Sequence, residues 1–148
     1  LVQAVTDRDG RLVKSFAPTE VRRVISAQTA RQVRRVLQTV TSKGGTGENA
    51  ALEGFEVAGK TGTAQKVDQT GRYAQGRYVA SFLGFAPADD PKVAILVVVD
   101  EPRKAHYGGT VAAPAFRKIA HGTLNYLNVT PGNGAGRLTA LRGTEAEG

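Results

Sequence analysis

Seven consecutive apolar residues, Val93 to Val99, make the longest apolar run in the chain. Turn-forming Asp89-Asp90-Pro91 precedes the run and Asp100-Glu101-Pro102 follows it. A membrane-spanning helix needs about 20 apolar residues, so the run does not read as a span. Its β-branched content makes it a strand. Unbroken apolar character, in place of alternation, predicts that both faces are covered, as in a central strand of a sheet. Any fold for this chain must therefore build a sheet around residues 93–99.

Two more strands precede it. Phe55-Glu56-Val57-Ala58 begins one that continues through Gly59-Lys60-Thr61-Gly62-Thr63-Ala64. A polar loop from Lys66 to Arg77 follows, then a strand from Tyr78 to Phe85, closed by Pro87. Connections this short make the three strands an antiparallel meander. At the front, Leu1 to Phe16 reads as a hairpin around Asp7-Arg8-Asp9-Gly10. Ser26 is a helix N-cap, and Ala30, Val33, Val36, Leu37 and Val40 recur at helical spacing. Gly44-Gly45 stops that helix and opens a flexible glycine loop to Gly47. Ala113-Pro114 starts a last helix, with Phe116, Ile119, Ala120, Thr123 and Leu127 on one face. Residues 131–148 are Gly-rich and polar and read as a disordered tail.

Composition removes several function classes. The 148 residues contain no Cys, which excludes disulfides, thiolate nucleophiles and cysteine-held metal clusters. Two His make a histidine-rich metal site unexpected, and no cofactor is expected. No charged, apolar, then small-residue leader opens the chain. Net charge is +7, and +6 of it falls in residues 1–43. The arginines there, Arg22, Arg23, Arg31, Arg34 and Arg35, have no interleaved aromatics on which bases could stack. They read as a solvated helix face, and no nucleic-acid partner is expected.

Two motifs share one lysine. Residues 54–61 match the phosphate-binding pattern G-x-x-x-x-G-K-S/T letter for letter. Such a loop must follow a buried strand and open a helix. Here the residues before Gly54 are polar and glycine-rich, and those after Lys60 are strand formers. The nucleotide-hydrolase reading is therefore the weaker one. The stronger takes Lys60-Thr61-Gly62-Thr63 as a unit in an extended strand. Alternation puts Lys60 and Gly62 on one face, Thr61 and Thr63 on the other. Gly62 would leave room for a substrate backbone. A lysine beside hydroxyls can hold a carboxylate, and a strand N–H can stabilise an oxyanion.

Around this unit the sequence resembles the penicillin-binding proteins, whose motifs include S-x-x-K, S-x-N and K-T-G. The similarity continues in order through Val24-Ile25-Ser26, Gly44-Gly45-Thr46-Gly47, Val57 to Gln65, Phe82 to Pro87, Val97 to Pro102, Tyr107-Gly108-Gly109 and Ala112 to Phe116. It covers residues 1–130 and is similar to the C-terminal part of a class B, division-type transpeptidase domain. The resemblance implies an α+β fold of the penicillin-binding protein and serine β-lactamase type, a five-stranded antiparallel sheet flanked by helices, of which this chain would hold the last three strands. It implies a serine acyl-enzyme that cross-links peptidoglycan stem peptides and is acylated by β-lactams. Lys60 would supply positive potential and order the S-x-N serine. Thr61, Gly62 and Thr63 would bind substrate, the two threonines holding its carboxylate. The Thr63 N–H would join the oxyanion hole.

The nucleophile is missing. Three residues after Ser15, Ser26, Ser42 and Ser81 stand Pro18, Thr29, Gly45 and Gly84, so S-x-x-K is absent. Two residues after them stand Ala17, Gln28, Gly44 and Leu83, so S-x-N is absent too. The expectation is a segment that lacks the N-terminal part of its domain and any membrane anchor, inactive alone. Its parent would work at the outer face of the inner membrane, beside other division or cell-wall synthesis proteins. The alternative is a non-catalytic module that binds peptidoglycan or a partner protein. Asp100 and Glu101 read as a strand end, and His106 and His121 as surface residues.

Overall fold

A computed structural model describes residues 2–17 and 19–132. The expected tail lies outside the described residues from 133 onward. The chain divides into two compact units, Leu1–Ala30 and Arg31–Gly148.

The first unit holds the expected hairpin. Strand β1 (Ala4–Thr6) pairs antiparallel with β2 (Leu12–Ser15), Ala4 opposite Ser15. The Asp7 carboxylate accepts from the N–H groups of Asp9 and Arg11 at 3.0 and 2.8 Å, and Gly10 takes a positive φ of 80°. This is turn chemistry of the kind the sequence announced. Helix α1 (Ala27–Thr39) begins where expected, with Ser26 Oγ accepting the Thr29 N–H at 3.0 Å. It ends before the glycines. The Thr39 and Ser42 hydroxyls donate to the last helical carbonyls, those of Val36 and Gln38, while the buried Thr41 hydroxyl donates to the Val57 carbonyl at 2.7 Å. Hydroxyls thus satisfy groups that a glycine turn was expected to satisfy. No residue of α1 is buried, and Val36 is 65% exposed. The apolar stripe exists, with Val33 and Val36 exposed, Leu37 half-buried, and Val40, just past the helix, packed against the core.

The second unit is built on β3 (Ala58–Val67), β4 (Tyr73–Ala86) and β5 (Val93–Asp100), an antiparallel meander ordered β3-β4-β5. Register places Thr61 opposite Phe82 and Phe82 opposite Val97. The first strand starts three residues later than expected, because Gly54 turns the chain at φ 77° and Leu52 bridges Phe55. The expected loop from Lys66 to Arg77 is mostly strand. Only five residues, Asp68 to Arg72, turn the hairpin, and the Asp68 carboxylate accepts from the Thr70 N–H, the Thr70 hydroxyl and the Arg72 N–H. These bonds hold its pKa below the ordinary value.

The expectation for β5 was wrong in one respect. Only one of its faces is covered, not both: its residues alternate between half-buried and exposed, in a strand that ends the sheet formed by the described residues. Val93, Ile95, Val97 and Val99 pack on the core, whereas Leu96 and Val98 are 60% and 55% exposed. A uniformly apolar run hides a two-residue period.

The core lies on one face of the sheet. Helix α3 (Ala113–Tyr126) lays Ala113, Phe116, Ala120 and Leu124 on it. Leu124 takes the place expected for Leu127, which is 47% exposed, and Ile119 is 49% exposed. Pro114 stands in the first turn as expected. Phe82 and Phe116 meet edge to face at 4.8 Å. Gly59 and Gly84 are paired across β3 and β4, and side chains there would strike the Phe82 ring at 2.6 and 2.8 Å. Gly47 is buried against the same ring, where a Cβ would come within 2.7 Å of it. The Gly44 to Gly47 segment is therefore a packed turn, followed by a 3-10 turn over Glu48–Ala50. Gly45 and Gly47 serve close approach, whereas Gly44 supplies a positive φ of 79°.

Candidate active site

Lys60-Thr61-Gly62-Thr63 occupies the middle of β3, not a loop opening a helix. The phosphate-binding reading fails on this geometry, because the backbone N–H groups cannot converge on one anion. The strand lies at the edge of the sheet, with no strand on its second side among the described residues. An edge strand presents unpaired N–H and C=O groups to an extended ligand.

The alternation expected from sequence is present. Lys60 is exposed and shares its face with Leu83 and Leu96. Its Nζ donates to the Thr61 carbonyl at 2.8 Å and lies 3.4 Å from Thr61 Oγ1. Thr61 and Thr63 lie on the opposite face. The Thr61 hydroxyl donates to Thr46 Oγ1 at 3.4 Å. Thr63 Oγ1 accepts the Gly108 N–H at 3.3 Å. Gly62 lacks the side chain that would collide with the Ser81 hydroxyl on β4. Its space is thus taken by a protein group.

Sequence reasoning sets Tyr107-Gly108-Gly109 at the edge of the site as non-catalytic residues, but misses the contacts of Asn49 and Thr46. Gly108 and Gly109 begin helix α2 (Gly108–Val111) and are buried against β3 and β4. A Cβ on Gly108 would lie 2.6 Å from the Gly62 carbonyl oxygen and closer still to that of Ser81. Asn49 Nδ2 donates to the Gly109 carbonyl at 2.9 Å. Thr46 and Gly108 belong to short motifs visible in the sequence and Asn49 does not, but only the fold brings the three beside β3.

A charged cluster closes the far end of the strand. Lys66 Nζ donates to Asp100 at 3.0 Å and to Glu101 at 2.7 Å, and Arg77 Nε donates to Glu101 at 2.9 Å. The two acids end their strand as expected, with cations from β3 and β4 as partners. Among the described residues no group of three His, Cys, Asp or Glu could hold a metal. The bonds from Lys66 and then Arg77 hold the Glu101 carboxyl below its ordinary 4.5, and those from Glu101 and Asp100 raise Lys66. A lowered carboxyl contributes stability above its unfolded pKa and loses it as pH falls through the lowered value. Melting temperature should therefore drop between about pH 6 and about pH 3 by more in wild type than in Glu101→Gln. Equal drops would show that the cluster contributes nothing. His106 stacks on Tyr78 at 4.4 Å and leans on Tyr107 at 4.3 Å, beside the same strands.

A family model described as the penicillin-binding protein transpeptidase domain matches residues 1–121. The chain is 49% identical over 119 residues to the probable peptidoglycan D,D-transpeptidase PenA of Neisseria gonorrhoeae, covering 80% of this chain and 20% of that protein. It is 46% identical over 122 residues to stage V sporulation protein D of Bacillus subtilis, covering 82% and 19%. The crystal structure of penicillin-binding protein 3 from Mycobacterium tuberculosis, complexed with ampicillin, matches with a TM-score of 0.75 at 36% identity. That match covers 90% of this chain and 32% of the other. The chain thus spans about a fifth to a third of the length of the curated relatives it matches.

Proposed function

This chain belongs to the penicillin-binding protein transpeptidase domain family, and from that premise we propose that residues 1–130 form the C-terminal segment of a peptidoglycan D,D-transpeptidase domain. The observation that carries the reading is the position of Lys60 to Thr63 in the middle of an edge strand. A stem peptide lying along that edge meets a row of backbone groups, a cation and a hydroxyl in one line.

The chemistry is acyl transfer. A serine from the preceding part of the domain attacks the carbonyl of the penultimate D-Ala. The bond to the terminal D-Ala breaks, and that D-Ala leaves with a proton on its amine. The amino group of a neighbouring stem peptide then attacks the ester and frees the serine. In this scheme Lys60 supplies positive potential at the reacting serine and helps to order the S-x-N serine. Thr61 and Thr63 face the substrate carboxylate. Gly62 is part of the strand on which the peptide lies, and the Thr63 N–H donates to the developing oxyanion. β-Lactams enter by the same route, as acylating agents of the serine. The whole protein works outside the cytoplasm at the inner membrane, next to other cell-wall or division proteins. No helix among the described residues is long and apolar enough to cross a membrane.

Fluorescent penicillin tests the reading. The full-length transpeptidase should form a stable adduct, seen by intact mass, and the 148-residue chain alone should form none. An adduct on the isolated chain would overturn the assignment of the nucleophile to the preceding part. A full-length protein that resists acylation would favour the non-catalytic binding module.

A further inference from the structure

The turn at Tyr107-Gly108-Gly109 offers no side-chain chemistry at its last two positions, yet it is held on three sides. The Gly108 N–H donates to Thr63 Oγ1 at 3.3 Å. Side chains at Gly108 would strike the carbonyl oxygens of Gly62 and Ser81, and one at Gly109 would strike that of Thr46. Asn49 fixes the Gly109 carbonyl at 2.9 Å. The turn is therefore pressed against the strand that carries Lys60 to Thr63, with no space to slide.

A threonine hydroxyl has one hydrogen to donate and two lone pairs. Against a carboxylate, only donation is attractive. An N–H that occupies one lone pair forces the O–H bond to point elsewhere, since two donors facing each other repel. The hydroxyl of Thr61 is already spent. Its oxygen faces Lys60 Nζ, and its hydrogen goes to Thr46. Only Thr63 keeps a hydrogen free.

We infer that Gly108 is a positioning residue, whose N–H turns the Thr63 hydroxyl into a pre-oriented donor for the carboxylate of an acyl-D-Ala substrate or of a β-lactam. The inference rests on the transpeptidase reading and assigns to Thr63 alone the donor role that resemblance divided between two threonines. Orientation set before binding costs nothing at the moment of reaction, and so raises selectivity for anionic ligands.

The test compares benzylpenicillin with its methyl ester, in which the carboxylate is masked. Second-order acylation rates are measured on the full-length transpeptidase. Wild type should prefer the acid. Gly108→Ala keeps its N–H, but the added Cβ must push the turn off the Gly62 and Ser81 carbonyls and break the bond to Thr63; it should lower the acid rate about tenfold more than the ester rate, as loss of one hydrogen bond to a charged group predicts. Thr63→Val should do the same, and the double variant should lose no further preference. Equal loss on acid and ester would mean structural damage and overturn the inference. Because Gly108→Ala crowds two backbone carbonyl oxygens, a second measurement uses the full-length transpeptidase labelled with 15N-glycine. The Gly108 amide should exchange with solvent about tenfold faster in Thr63→Val than in wild type, with protection restored in Thr63→Ser. Exchange unchanged by Thr63→Val would also overturn it. Wild type acylated without preference for the acid sinks the positioning role alone, whereas wild type not acylated at all sinks the transpeptidase reading beneath it.

Discussion

Phe82→Ala should destabilise the chain by about 3–5 kcal/mol, the usual cost of emptying a buried phenylalanine site. The upper part of that range applies, because the cavity cannot collapse. Phe82 is fully buried, and its ring lies over Gly59, Gly84 and Gly47. Glycines have no side chains to swing into the hole, and two of these three sit in paired strands whose backbone is fixed by the ladder. The edge-to-face contact with Phe116 is lost as well, which is worth about 0.5–1.5 kcal/mol beyond area. Typical domains have only about 5–15 kcal/mol in total, so the variant should be marginally folded at 37 °C. Leu83→Ala supplies the contrast. It is the next residue on the same strand, points to the other face and is 52% exposed. It should change stability by no more than about 0.5 kcal/mol. Urea titrations followed by circular dichroism measure both. Similar midpoints for the two variants would mean that the core is not on the Phe82 face.

That contrast also separates what the sequence made legible from what it did not. Local signals read correctly. Ser26 caps its helix, Asp7 and Gly10 turn their hairpin, and the three-strand meander forms in the order expected. Each depends on residues a few positions apart. The errors all concern what covers a residue. Val93 to Val99 looks doubly buried, yet Leu96 and Val98 stand exposed, and an all-apolar run carries no period to reveal it. The relatives are about three to four times as long as this chain, so apolar residues on its outer face and on α1 need not find partners within it. Gly44 to Gly47 reads as loose because glycine is permissive, whereas the demand for glycine comes from the Phe82 ring 35 residues beyond Gly47. Lys66 to Arg77 reads as a loop because it is polar, but ion pairs from Lys66 and Arg77 to Glu101 accompany an extended hairpin. The site divides in the same way. Its strand residues form a contiguous motif. Thr46, Asn49 and Gly108 join it only through folding, Gly108 across 45 residues.

The two functions assigned to Thr63 separate in the full-length enzyme through two substitutions. Thr63→Val keeps the backbone N–H and nearly the same volume but removes the hydroxyl. It should cost about 1.5–3 kcal/mol of transition-state stabilisation, the range for a hydrogen bond to a charged group. Thr63→Pro removes the N–H itself. Loss of one oxyanion donor costs about 3–4 kcal/mol, a 100- to 1000-fold fall in acylation rate. Proline inside a sheet usually breaks a ladder bond, but β3 is an edge strand, where proline is tolerated if the lost N–H faced outward. An oxyanion donor must face outward, away from β4, to reach a ligand on the open edge. Thr63→Pro should therefore retain its circular dichroism and most of its melting temperature while nearly losing acylation. If the proline variant melts early, its N–H was bonded to β4 and could not have served the oxyanion. If it stays folded and acylates as fast as the valine variant, the donor is another group. Either result would remove the Thr63 N–H from the oxyanion hole and leave this residue with its hydroxyl alone.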